Sequence, residues 1–125
     1  MQYVLNGKPI PLARPRIGKH GGYNPQADAL CAAKWVLKSQ CQVPFSDRHH
    51  VRILFEMPMP SSWTTRLRTD SVGKPHTGRP DIDNLIKFVL DAGNGVLWTD
   101  DAQIAVLQAS KVWAEVGRTT ISFDP

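Results

Sequence analysis

The stretch His50-Val51-Arg52-Ile53-Leu54-Phe55-Glu56-Met57 decides the fold class. Val51, Ile53, Phe55 and Met57 alternate with His50, Arg52 and Glu56, and only Leu54 breaks the order. A repeat of two belongs to a strand with one apolar face, and Pro58 and Pro60 end it. Such a face needs a second layer, and the chain supplies one downstream. Leu85, Phe88, Val89 and Ala92 recur at helical spacing, while Asp83, Lys87 and Asp91 stand four apart on another face. Asp81 or Asp83 opens this helix and Gly93-Asn94-Gly95 closes it. Two periods in one short chain predict an α+β fold.

Working outward, residues 2–6 suit an opening strand. Residues 7–16 hold Pro9, Pro11 and Pro15, too many for a helix or a central strand, so they read as a loop carrying Lys8, Arg14 and Arg16. Gly18 to Gly22 extends it with Lys19 and His20. Asn24-Pro25 has the form of an N-cap followed by proline in the first turn. That helix should run to about Ser39 and bury Leu30, Ala33 and Leu37, with Val36 beside them. Ser61 or Ser62 can cap a short helix through Trp63 and Arg66 towards Val72, stopped by Gly73. Residues 74–80 make a basic loop, and Val96 to Trp98 a short extended piece. Strands around 103–114 and 119–123 close the chain, joined near Gly117 as a hairpin. The expectation is one domain over 1–125: about four strands in a mixed sheet, with two to three helices.

A length of 125 residues suits a single domain, and 42% apolar residues suffice for a core. No run approaches the roughly 18 apolar residues of a membrane span, and the first residues lack a signal-peptide layout, which points to the cytoplasm. Cys31 and Cys41 form no CxxC pair and read as small buried hydrophobes. Charge is unevenly placed. Residues 1–80 carry twelve Lys/Arg against four Asp/Glu, whereas 81–101 carry five aspartates against Lys87 alone. Basic surface attracts phosphate, and clustered carboxylates repel it unless a cation lies between. Metal-dependent phosphodiester chemistry reconciles the two.

The acidic island begins at Arg79-Pro80-Asp81-Ile82-Asp83-Asn84-Leu85-Ile86-Lys87. Asp81 and Asp83 can lean the same way from a turn, and hard oxygen ligands of this kind suit Mg²⁺ or Mn²⁺. The plainer reading is also open: aspartate at a helix start caps free N–H groups and favours the dipole. Asp91, in the last turn, needs a cation or an amide nearby and reads as structural support. Asp100 and Asp101 form a second acidic pair, of which at most one can face a ligand from extended chain. A helix of about 16 Å and a reversing turn could carry them back towards Asp81 and Asp83. Three carboxylates would then converge. His49 and His50 read as surface or loop residues. His76, five residues before Asp81, could approach phosphate, although isolated histidines seldom mark a role. Trp63 and Trp98 could stack on a base, with core packing the plainer reading.

These residues resemble a known family. Arg79-Pro80-Asp81-x-Asp83-Asn84-Leu85-x-Lys87 with Asp91-Ala92, then Asp100-Asp101-x-Gln103, is similar to the core signature of RusA-type Holliday-junction resolvases. Gly7-Lys8-Pro9-x-Pro11, Arg14-Pro15-Arg16 and Met57-Pro58-x-Pro60-x-Ser62-Trp63 are similar to that family too. The resemblance runs in order over nearly the whole chain. It implies a homodimeric, Mg²⁺-dependent endonuclease that nicks four-way DNA junctions symmetrically in recombination and repair. It further implies that Asp81, Asp83 and Asp101 are catalytic and hold the metal, with Lys87 as the catalytic cation. The span holding Gly93-Asn94-Gly95-Val96 makes the choice of Asp101 over Asp100 its least anchored element. Arg14, Arg16, Lys19, Arg66, Arg68, Lys74 and Arg79 would then grip backbone phosphate. Two rival classes stand beside this reading: a catalytically silent junction-binding protein, and a metal-dependent nuclease for other branched or single-stranded DNA.

Overall fold

The structure, a computed structural model, describes residues 2–13, 16–18, 21–23, 26–47 and 49–123; of 16–18 and 21–23 it describes the backbone alone. The central strand is β4 (His50–Pro58), and its inward set Val51, Ile53, Phe55 and Met57 is almost wholly buried. β5 (Val106–Ala114) runs parallel along one side of it, and β6 (Arg118–Phe123) antiparallel along the other. β1 (Gln2–Asn6) pairs with β6, giving a four-stranded mixed sheet in the order β1-β6-β4-β5. Two helices, α1 (Ala27–Gln40) and α3 (Ile82–Gly93), pack on each other, α1 beside β1 and α3 beside β5. Their residues Leu37, Leu85, Phe88 and Val89 meet Val51, Ile53, Phe55 and Ile121 in one core. The expected single α+β domain is the observed one.

The expected hairpin of the last two strands does not form. β5 and β6 sit on opposite sides of β4, because β5 arrives parallel to β4 at the end of a crossover that contains α3. Parallel neighbours require such a crossover, and β6 then takes the remaining side of β4, where Ile121 is fully buried. Alternation marks a strand but not its partner. Gly117, in place of turning a hairpin, lets two segments approach closely. A Cβ there would lie 2.8 Å from the backbone of Lys8, and its carbonyl accepts from Gly7 N at 3.1 Å.

Other boundaries shift for local reasons. α1 begins at Ala27, and the expected cap Asn24-Pro25 lies outside the described residues. Ala33 and Leu37 are buried and Leu30 half-buried, while Val36 is exposed. The short helix α2 (Thr65–Ser71) is capped by Thr64, not by Ser61 or Ser62: its hydroxyl accepts from Leu67 N at 3.2 Å. Of the expected extended piece Val96 to Trp98, Val96 and Leu97 lie in a turn and Trp98 forms isolated bridges to Phe45 and Asn94. The indole of Trp98 is fully buried and closes directly on Gly93, where a Cβ would meet the ring at 2.6 Å. Residues 16–18 and 21–23, read as loop, pair as a two-stranded ribbon of β2 (Arg16–Gly18) and β3 (Gly21–Tyr23). Cys41 is buried as expected, but Cys31 is exposed on α1.

Candidate active site

Asp81 occupies the N-cap position of α3, in extended conformation at φ −68° and ψ 142°, yet its side chain makes no capping hydrogen bond. Two other helix starts among the described residues carry side-chain caps, while α1, at Gln26, has none. Thr64 caps α2, and Asp100 caps the 3-10 turn Asp101–Gln103 in a reciprocal capping box with Gln103. At α3 the carboxylate is exposed and left to another partner, so the helix-cap reading does not account for Asp81. One turn on, Lys87 Nζ lies 4.0 Å from Asp83 Oδ2, with both side chains more than half exposed. Such a surface pair contributes only about 0.3–0.5 kcal/mol, so both charges remain available to an outside ligand.

Around this helix start the chain forms a groove lined by Pro11, Leu12, Arg79, Pro80, Asp81 and Asn84. Its far wall is a strap, residues 11–13, held at three points. Leu12 N donates to Asn84 O at 2.9 Å, Ala13 N donates to Gln26 Oε1 at 2.6 Å, and Gln26 Nε2 donates to Pro11 O. The strap's last described residue, Ala13, is thereby held close to the acidic helix start.

The near wall is Arg79 and Pro80, the end of the 74–80 segment expected as a basic loop. The start of that segment is stitched to the open edge of β5: Gly73 N donates to Trp113 O at 2.9 Å, Trp113 N to Lys74 O at 3.0 Å, and His76 N to Lys111 O at 2.9 Å. His76, weighed from sequence as a phosphate neighbour, is 8% exposed and lies against Trp113 with ring centroids 4.2 Å apart; Trp63 packs on the same indole at 4.6 Å. Burial, and then the charges of Lys111 and Lys8, hold His76 below the usual histidine pKa.

Asp101 is elsewhere. Its Oδ1 accepts from Trp98 Nε1 at 2.6 Å, and its N–H donates to Asn94 Oδ1 at 3.2 Å, which ties it to the C-terminal end of α3. The expected return of residues 96–101 to the start of the helix does not occur, because Trp98 is committed to the core beside Gly93. Among the described residues, no three His, Cys, Asp or Glu side chains gather as a metal site. Asp91 is exposed, and the cation expected near it is Lys34, which donates to the carbonyls of Asp91 at 2.8 Å and Asn94 at 3.1 Å. A cation there offsets the negative end of the helix dipole.

These placements separate the aspartates by stability. Asp101→Ala should cost about 1–3 kcal/mol, because it strands a buried indole N–H. Asp81→Ala breaks no side-chain bond and should leave the urea midpoint nearly unchanged. Equal midpoints for the two variants would contradict the geometry.

Of the expected phosphate-binding cations, Arg66, Lys74 and Arg79 are exposed. Arg68 is not free: it donates to Pro60 O at 2.7 Å and pairs with Glu115 at 2.8 Å, with 23% of its side chain exposed. Arg14 and Lys19 lie outside the described residues, as does the side chain of Arg16. A cation missed from sequence is Lys111, whose Nζ donates to Gly78 O and Pro80 O at 2.6 Å each. The signal was present: Leu107, Ala109 and Trp113 share its face of β5, and a charge in that apolar set is out of place.

The endodeoxyribonuclease RusA family model matches residues 6–123, so the chain belongs to that family. It is also similar to the uncharacterized protein YqaN of Bacillus subtilis (strain 168), at 26% identity over 136 aligned residues that cover 97% of this chain and 93% of the relative. The family is one of DNA-cutting endonucleases. No helix among the described residues is long and apolar enough to cross a membrane.

Proposed function

We propose that the protein is a Mg²⁺-dependent endonuclease that binds four-way DNA junctions and resolves them by paired symmetric nicks, in recombination and repair. The observation that carries this reading is the uncapped, exposed carboxylate of Asp81 at a helix start, one turn from the Asp83–Lys87 pair, within a family of endodeoxyribonucleases.

The donor set fits a hard cation. Mg²⁺ typically takes one or two carboxylates and keeps several waters, and two exposed aspartates meet that need. Asp81 and Asp83 would hold it, and Mn²⁺ could substitute. Asp101 enters as a third ligand and catalytic residue by family resemblance alone. A bound Mg²⁺ supplies Lewis acidity and a more acidic water for in-line attack on phosphorus. Lys87 sets a point charge beside the scissile phosphate, and Asn84 anchors the strap that walls the groove. Arg66, Lys74 and Arg79, with Arg14, Arg16 and Lys19, grip backbone phosphate and so select shape over sequence. Paired nicks need two sites, which a two-fold homodimer supplies.

The direct test is incubation of the pure protein with a labelled four-way junction, with and without Mg²⁺, beside flap and single-stranded competitors. Symmetric paired nicks that require the metal support the reading; binding without cleavage, or preference for a competitor, overturns it. Salt dependence checks the basic face. Six phosphate contacts predict a slope of log affinity on log salt near about −5, and Arg66→Ala should shallow it by about 1. Arg68→Ala should leave the slope unchanged, because that guanidinium is already bound to Glu115 and Pro60.

A further inference from the structure

We propose that Lys111 is the positioning residue of this site: its ammonium fixes the turn that presents Asp81. The inference rests on the endonuclease reading and adds a residue that neither the motif nor its spacing marks. In the β4–β5 register Lys111 stands opposite Phe55, on the face of the sheet that carries the core. An ammonium in that layer needs oxygen partners, and it finds two carbonyls, Gly78 O and Pro80 O, at 2.6 Å each. Pro80 O belongs to the peptide unit that leads into Asp81. The His76–Lys111 and Lys74–Trp113 backbone bonds set the register of the loop on β5, and the side chain of Lys111 then ties its last turn. Asp81 has no side-chain cap bond to hold it, so its placement depends on the backbone behind it, and Lys111 holds that backbone.

A lysine reaching two carbonyls could also serve packing alone, through its aliphatic stem. The two roles differ in whether the charge matters. The test uses the full chain in a Cys31→Ser background, Cys31 being exposed on α1 and outside the site. Three quantities are read: single-turnover junction cleavage in Mg²⁺, junction affinity without divalent metal, and Mn²⁺ affinity from the loss of the free-ion paramagnetic signal. For Lys111→Met, cleavage should fall about 100-fold and Mn²⁺ affinity about 10-fold, with junction affinity within about threefold. Lys111→Cys should match it. Alkylation of that thiol with 2-bromoethylamine rebuilds an ammonium at lysine's reach and should restore both quantities, whereas ethylation rebuilds only the stem and should not. Equal recovery by both reagents overturns the assignment, as does Lys111→Met with cleavage and Mn²⁺ affinity within threefold of the parent. If the parent cuts no DNA, the endonuclease reading falls by itself, and Mn²⁺ affinity still decides Lys111: a drop rescued only by the ammonium supports it, and unchanged or absent binding overturns it.

Discussion

Asp83→Asn should abolish junction cleavage while leaving the fold and the junction complex intact. The side chain is about two-thirds exposed and pairs with Lys87 at 4.0 Å, so losing its charge should change stability by less than about 0.5 kcal/mol. Asparagine keeps the size and remains a good residue for a helix start. What it loses is a charged oxygen donor for Mg²⁺ and half of the pair that orders Lys87. Cleavage should therefore fall by about 10³-fold or more. Junction binding without metal should hold or tighten, because one carboxylate facing the phosphates has been neutralised. Gel-shift and single-turnover measurements on the same preparation separate the two effects. Cleavage by Asp83→Asn within a few-fold of the parent would remove the metal-binding role and leave this aspartate as helix punctuation.

The largest effect on stability should come from Trp98→Ala. The indole is fully buried, closes on Gly93 at the end of α3, meets Phe123 edge-on with centroids 6.2 Å apart, and donates to Asp101. Removing it opens a cavity between helix and sheet and strands the Asp101 carboxylate, for a loss of about 3–5 kcal/mol. A domain of this size has about 5–15 kcal/mol in total, so the variant should unfold at a much lower urea concentration. A midpoint shift worth less than about 1 kcal/mol would show that the 94–101 turn is not part of the core.

The two variants probe opposite ends of α3, and the sequence was unequally legible at those ends. At the start, the Asp81–Asp83–Lys87 spacing placed the acid–lysine pair correctly, because residues four apart share a helix face whatever surrounds them. At the far end, the reading of 96–101 as a return towards Asp81 failed. The turn direction is set by the packing of Trp98 against Gly93, which brings together groups whose fit cannot be seen one by one. Lys111 and His76 were misread or missed for the same reason. The burial of His76 and the two oxygen partners of Lys111 exist only once the loop before Asp81 is laid on the edge of β5.

By itself the sequence determined the α+β class, the buried face of β4, both faces of α3, the acidic helix start and the family signature. These depend on periodicity and local spacing, which act within a few residues. Only the tertiary structure decided that β5 and β6 flank β4, that Asp101 serves Trp98 at the far end of α3, that Arg68 is occupied by Glu115, and that Lys111 lies beneath the turn before Asp81. Each of those joins residues distant in the chain, and the choice among such partners is made by the burial and hydrogen bonding of the assembled layers.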